Sequence, residues 1–260
     1  MLFRFALLLT VVCASSASAA DATAKRVIVI AHRGAHGEAP ENSLAAMRKA
    51  AELTCDYVEV DVRTTRDHEL VLMHDGSVDR TTTGKGRIED MTLAEIRELH
   101  FKRGQPNEKV PTFDEALAVC KGRIKVYIDH KNAAVADVLA AVERHKMLAD
   151  VVVYGSVKTL REYKRLKPKV WIMPPHPGDA EEIRKLVADL KPETLDGNIV
   201  EWKPEHVKAA HEAGAQVWVD NPGIYDTESG VRKAIELGVD AIQTDHPERL
   251  IELLRSQKAR

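Results

Sequence analysis

Glu59 and Asp61 stand two residues apart in the run DYVEVDV (Asp56 to Val62), with valines at the alternate positions. Side chains at i and i+2 of a strand share a face, so the two carboxylates point together while Val58, Val60 and Val62 pack the other way. Two carboxylates on one face repel unless a cation sits between them or one is protonated. One resolution is a hard divalent ion, Mg²⁺ or Ca²⁺; the other is a polar patch paired with neighbouring Lys or Arg. The later run IKVYIDH (Ile124 to His130) adds Asp129, with Lys131 on the same face, and shifts the balance toward the ion. His130 points outward between the layers and reads as a packing histidine.

Two further pairs end extended runs. His32 and Arg33 close RVIVIAH, and His74 and Asp75 close ELVLMHD. Two imidazoles over a metal site suit acid/base transfer at a phosphate ester: one removes a proton, the other protonates a leaving alkoxide. Arg33 offers a planar fork for phosphate oxygens and Lys131 a point charge.

These residues need a scaffold that brings strand ends together. Eight short β-branched runs recur: residues 26–32, 56–62, 124–130, 150–156, 169–174, 195–200, 215–220 and 240–245. Amphipathic stretches such as 43–53, 112–120, 180–190, 204–214 and 229–238 lie between them, several ending at Gly. Eight β-α units in about 240 residues predict an α/β fold, a (β/α)8 TIM barrel. An open doubly wound sheet is the alternative, but no G-x-G-x-x-G follows the first strand. Residues 75–110 break the rhythm and carry a capping-box pattern from Thr92 to Glu95, which predicts a small ordered insertion after the second strand, overhanging the catalytic face.

The chain has 260 residues, 44% of them hydrophobic and 30% charged, enough for one cored domain. Residues 1–20 carry Arg4, an apolar run and Ala17-Ser18-Ala19, the pattern of a secretory signal peptide, leaving 21–260 as the barrel domain. Export to the periplasm or the cell exterior is the expectation; lipidation at Cys13 is the minor alternative, since Val12 stands where a small residue is wanted. Loss of the leader takes the formal net charge from −2 to about −3. With no basic stripe, nucleic acid is not an expected partner, and no later segment has the length for stable membrane insertion. An oxidising compartment permits a bridge between Cys55 and Cys120, against their reading as two small buried hydrophobes.

The blocks AHRGAHGEAPENSLAAMRKAA, DYVEVDVRTTRDHELVLMHDGSVDRTTTGKG, VPTFDEAL and VDAIQTDHPERL resemble the glycerophosphodiester phosphodiesterase family over essentially the whole mature chain. The resemblance implies a barrel with an insertion after the second strand, a divalent cation, and hydrolysis of a small-molecule glycerophosphodiester to glycerol 3-phosphate and an alcohol. It assigns His32 and His74 to the acid/base pair, Arg33 and Lys131 to the phosphate, and Glu59, Asp61 and Asp129 to the metal. Asp129 stands where the family usually has Glu, one methylene longer. The family's Trp-Thr becomes Trp218-Val219, with Asp220 an added acid; Trp218 is read as an apolar wall against substrate, with core packing as the alternative. Glu201, Trp202, Gln243 and Asp245 are read on the alcohol side of the pocket. A sphingomyelinase D-like phospholipase forming a cyclic phosphate and a non-catalytic exported phosphodiester-binding protein are the competing functions. The oligomeric state is left open.

Overall fold

A computed structural model describes residues 26–105 and 108–258. Among them nine strands run in chain order: β1 (Ile28–Ala31), β2 (Tyr57–Thr64), β3 (Leu70–Leu72), β4 (Lys125–His130), β5 (Val151–Tyr154), β6 (Trp171–Met173), β7 (Thr194–Asn198), β8 (Gln216–Asp220) and β9 (Ala241–Thr244). All but β3 are parallel and pair in the order β6-β5-β4-β2-β1-β9-β8-β7. The ends meet through a lone bridge between Pro175 and Asp196, with the Asp196 amide donating to the Pro174 carbonyl at 3.0 Å. The eight expected staves therefore form a nearly closed TIM barrel. The ninth strand is the run ELVLMHD, which folds back antiparallel on β2, pairing Val62 with Leu72.

Alternation divides the core into two layers. Outward-facing Val29, Val58, Val60, Val62, Val126, Ile128, Val217, Val219 and Ile242 pack under the helices. Inward-facing Ile30, Tyr57, Tyr127, Val152, Met173, Trp218 and Ala241 fill the barrel floor. Each buried aliphatic side chain contributes roughly 1.5–3 kcal/mol of transfer free energy, which drives the helices onto the staves. Local chemistry starts the helices: Ser43 caps α1 (Leu44–Glu52), accepting the Ala46 amide at 3.1 Å, and capping boxes open α2 (Leu93–Arg97) at Thr92 and α3 (Phe113–Cys120) at Thr112.

Val71 of β3 and the segment that follows it form a small core of their own, with Met73, Val78, Ile88, Ile96, Phe101 and Val110. The segment is an ordered overhang tied back by Arg103, which donates to the Gly37 carbonyl at 3.2 Å. Cys55 and Cys120 are both buried and unbridged, their thiols pushed up to about 12, chiefly by burial. The leader at 1–20, with Cys13, lies outside the described residues. Among the described residues no helix is long and apolar enough to cross a membrane.

Candidate active site

On β2 the inward face carries Tyr57, then Glu59, then Asp61, and the pairing register sets Asp61 directly beside Asp129 of β4. One oxygen from each of Glu59, Asp61 and Asp129 lies within 4.8 Å of the others. The Lys131 ammonium spans Asp61 Oδ1, at 2.9 Å, and Asp129 Oδ2. Burial raises the Glu59 carboxyl well above the usual range, and Asp61 and Asp129 push it further. Asp129 is also raised by burial, against the pull of Lys131. For Lys131 itself burial opposes the charge, but Asp61 and Asp129 outweigh it and raise its pKa. An all-oxygen donor set short of positive charge suits a hard divalent cation.

The loop from His32 to Ser43 wraps this cluster. Arg33 adopts φ +53°, aiming its amide at Glu59 Oε2 (2.7 Å) while its guanidinium reaches Glu41 Oε1 (3.0 Å) and stands 3.6 Å from Asp61 Oδ2. Gly34 follows at φ +86°, where an added Cβ would lie 2.6 Å from Ala46 Cβ, so the turn accepts no side chain. Asn42, buried and also left-handed, donates Nδ2 to Asp61 Oδ2 at 2.6 Å and accepts the Asp61 amide at 3.1 Å. That two-point clamp fixes the Asp61 carboxylate. Asn42→Ala takes the Nδ2 donor from Asp61 Oδ2 and the acceptor from the buried Asp61 amide, and is expected to cost about 2–3 kcal/mol. The same variant is expected to weaken divalent-cation affinity about 10- to 100-fold. Thermal unfolding and calorimetric titration of Mg²⁺ or Ca²⁺ check the two effects separately.

Each histidine is backed by a carboxylate. His32 Nδ1 donates to Asp245 Oδ1 at 2.7 Å, and His74 Nδ1 donates to Asp75 Oδ1 at 2.8 Å. Burial works against ionisation of Asp245, but the bonds from His32 and His36 prevail and hold its carboxyl well below the usual range. Asp75 is held low first by Arg80 and then by His74, against burial. With both carboxylates ionised, the imidazole protons sit on Nδ1 and leave each Nε2 free to exchange protons. Arg80, from the overhanging segment, donates to Asp75 Oδ2 (2.7 Å) and to both oxygens of Glu41 (2.6 and 2.7 Å). A chain of ion pairs, His74–Asp75–Arg80–Glu41–Arg33, thus runs from one histidine to the carboxylate cluster. Arg63 secures the backbone there, donating Nη2 to the His74 carbonyl at 2.6 Å.

Most of the residues singled out from the sequence converge on this end of the barrel, and several others join them. Asn42, Glu41 and Arg80 carry no strand-alternation signal, since each acts from a loop, whereas Arg63 continues the alternation of Glu59 and Asp61 at the end of β2, one residue beyond the run that the sequence marks as extended. Trp218 requires a correction. It is 0% exposed and packs edge-on to Tyr57 at 4.9 Å, with its indole N–H on Gln216 Oε1 at 2.9 Å. It is floor packing and not a wall against substrate. Trp202 is likewise buried, stacked edge-on under His176 at 4.5 Å. Gln243 donates to Asp220, whose carboxyl burial pushes up to about 6. His130 lies outside the site, its Nδ1 2.8 Å from the Tyr163 hydroxyl, as a packing histidine should.

Residues 32–249 match the Glycerophosphoryl diester phosphodiesterase family. A glycerophosphodiester phosphodiesterase of Caldanaerobacter subterraneus subsp. tengcongensis is 31% identical over 242 residues, covering 88% of this chain and 98% of that protein. The glycerophosphodiester phosphodiesterase of Agrobacterium tumefaciens superposes with a TM-score of 0.78 at 28% identity, over 87% of this chain and 100% of that one. An Oleispira antarctica phosphodiesterase, solved with the product sn-glycerol-3-phosphate, superposes at 0.80 with 25% identity over 88% and 96% of the two chains.

Proposed function

The chain belongs to the glycerophosphoryl diester phosphodiesterase family, and from that premise we propose that it hydrolyses glycerophosphodiesters to glycerol 3-phosphate and an alcohol. It is a phosphoric diester hydrolase. The observation that carries the finer reading is the pair of histidine–carboxylate couples, each leaving Nε2 free, beside three clustered carboxylates. Glu59, Asp61 and Asp129 hold a divalent cation, Mg²⁺ or Ca²⁺, which when bound supplies positive charge to the phosphate oxygens.

His32 and His74 divide the proton work at Nε2. One takes the proton of the attacking oxygen, from water or from the glycerol 2-hydroxyl; the other gives a proton to the departing alkoxide. Asp245 and Asp75 stabilise whichever imidazole is positive. Arg33 and Lys131, already anchored to the acidic cluster, turn their remaining N–H groups to the phosphate as negative charge builds on it. The expected site of action is outside the cytoplasm, on the strength of the leader pattern in residues 1–20.

The test is hydrolysis of glycerophosphocholine, glycerophosphoethanolamine and glycerophosphoglycerol after chelation and return of Mg²⁺ or Ca²⁺, with products followed by phosphorus NMR. Glycerol 3-phosphate with cation-dependent turnover is the expected product. A stable cyclic phosphate, or binding without turnover, overturns the reading.

A further inference from the structure

Next to the oxygen-only trio stands a donor set of different chemistry. His32 Nδ1 and His36 Nε2 meet the same oxygen of Asp245, at 2.7 and 3.1 Å, and one donor atom from each of the three residues lies within 4.8 Å of the others. The side chains are 17–24% exposed, reachable from solvent yet partly desolvated. Groups behind Asp245 fix its direction. Its Oδ2 accepts the Gly223 amide at 3.2 Å, and its own amide donates to Asp226 Oδ2 at 2.7 Å. Asp226 in turn accepts the Thr244 hydroxyl at 2.7 Å.

We propose that His32, His36 and Asp245 form a second metal site, selective for a borderline ion of the Zn²⁺ class, and that its occupation inhibits the enzyme. Two imidazole nitrogens and one carboxylate oxygen supply three corners of a tetrahedron and leave the fourth to water. Imidazole favours Zn²⁺ over Mg²⁺ or Ca²⁺, whereas the carboxylate trio favours the hard ions, so the neighbouring sites sort cations by donor type. Binding needs no net loss of protons from the rings. Zn²⁺ takes the lone pair at His32 Nδ1, the imidazole proton moves to Nε2, and His36 undergoes the converse shift from Nε2 to Nδ1. His32 then has no lone pair with which to accept a proton. The inhibitory half of the proposal rests on His32 having the acid/base role given above; the binding half does not.

The experiment titrates Zn²⁺ into the protein held in excess Mg²⁺, reading heat of binding and hydrolysis in parallel. One equivalent per chain is expected to bind and to lower turnover by about 100-fold, within the range that an acid/base group supplies. His36→Gln removes the ring nitrogen offered to the metal, while the Gln amide can still donate to Asp245 Oδ1 and so keep the carboxylate behind His32 hydrogen-bonded. The variant is expected to keep the Mg²⁺-dependent rate while losing zinc affinity by at least about 100-fold, more than is lost with an outlying partner. Glu59→Gln, in contrast, is expected to keep zinc binding. Equal zinc affinity and inhibition in His36→Gln and wild type would place the ion on the carboxylates and overturn the proposal, as would absence of binding in wild type. His36-dependent binding that leaves turnover unchanged upholds the site and counts against the role of His32.

Discussion

His74→Ala is expected to lower turnover on a glycerophosphodiester by about two to four orders of magnitude, and His32→Ala by a similar factor. In both, the loss is expected to fall on kcat, as the proposed proton exchange in the transition state requires. The structural cost at His74 is small, since its side chain is 38% exposed and its anchoring comes through its carbonyl, which alanine retains. Asp75→Asn supplies the companion test. The amide keeps the shape but withdraws the charge that favours imidazolium, so the variant is expected to shift the pH profile for turnover with little change in KM. Unfolding temperatures close to wild type, with kcat reduced, are the expected pattern. Near-full activity in either alanine variant removes that histidine from the mechanism.

Loss of the cation should cut as deeply. Chelation is expected to reduce turnover by about 10³-fold, restored on return of Mg²⁺ or Ca²⁺, because a cation held by the proposed ligands would be the largest charge available to the phosphate. Glu59→Gln is expected to be as impaired and not rescued by added ion, although its amide oxygen can still accept the Arg33 N–H. Stability should move the other way. Glu59 has a folded pKa raised first by burial and then by its acidic neighbours, so its ionisation opposes folding as pH rises from its unfolded value of about 4.3. In chelator, wild type therefore loses stability as pH climbs through that window, and Glu59→Gln escapes this part of the loss. Melting curves across pH, set beside rates, separate a dead enzyme from an unfolded one. A Gln variant with full activity would show that Glu59 holds no ion needed for the reaction.

Alternation with a period of two made the barrel and half of the site legible before any coordinates. The valines of β2 could only face the helices, so Glu59 and Asp61 had to face inward, and the same logic placed Asp129 and Lys131 one stave away. What was hidden depends on contacts far apart in the chain or on loop backbone. Asp245 meets His32 across 213 positions, and no local pattern pairs them. Asn42 clamps Asp61 from a left-handed loop conformation that composition does not announce. Trp218 was misplaced for a physical reason: facing inward is not the same as facing the mouth, and a large ring low on β8 fills the floor. The antiparallel turn-back of β3 escaped notice because three residues against the edge of β2 look the same in sequence as a continuing extended run.

Where the cylinder closes has a consequence for how it can move. The junction between β6 and β7 is a lone bridge at Pro175, while His32, Arg33, Asp245 and the acidic trio ride on the run β9-β1-β2-β4, which lies across the lumen and is laddered without interruption, and His74 follows β3, which pairs with β2. Opening of that short joint would loosen the far wall and leave the candidate site on the strands held by continuous ladders, which predicts that the barrel can flex there without disturbing the site.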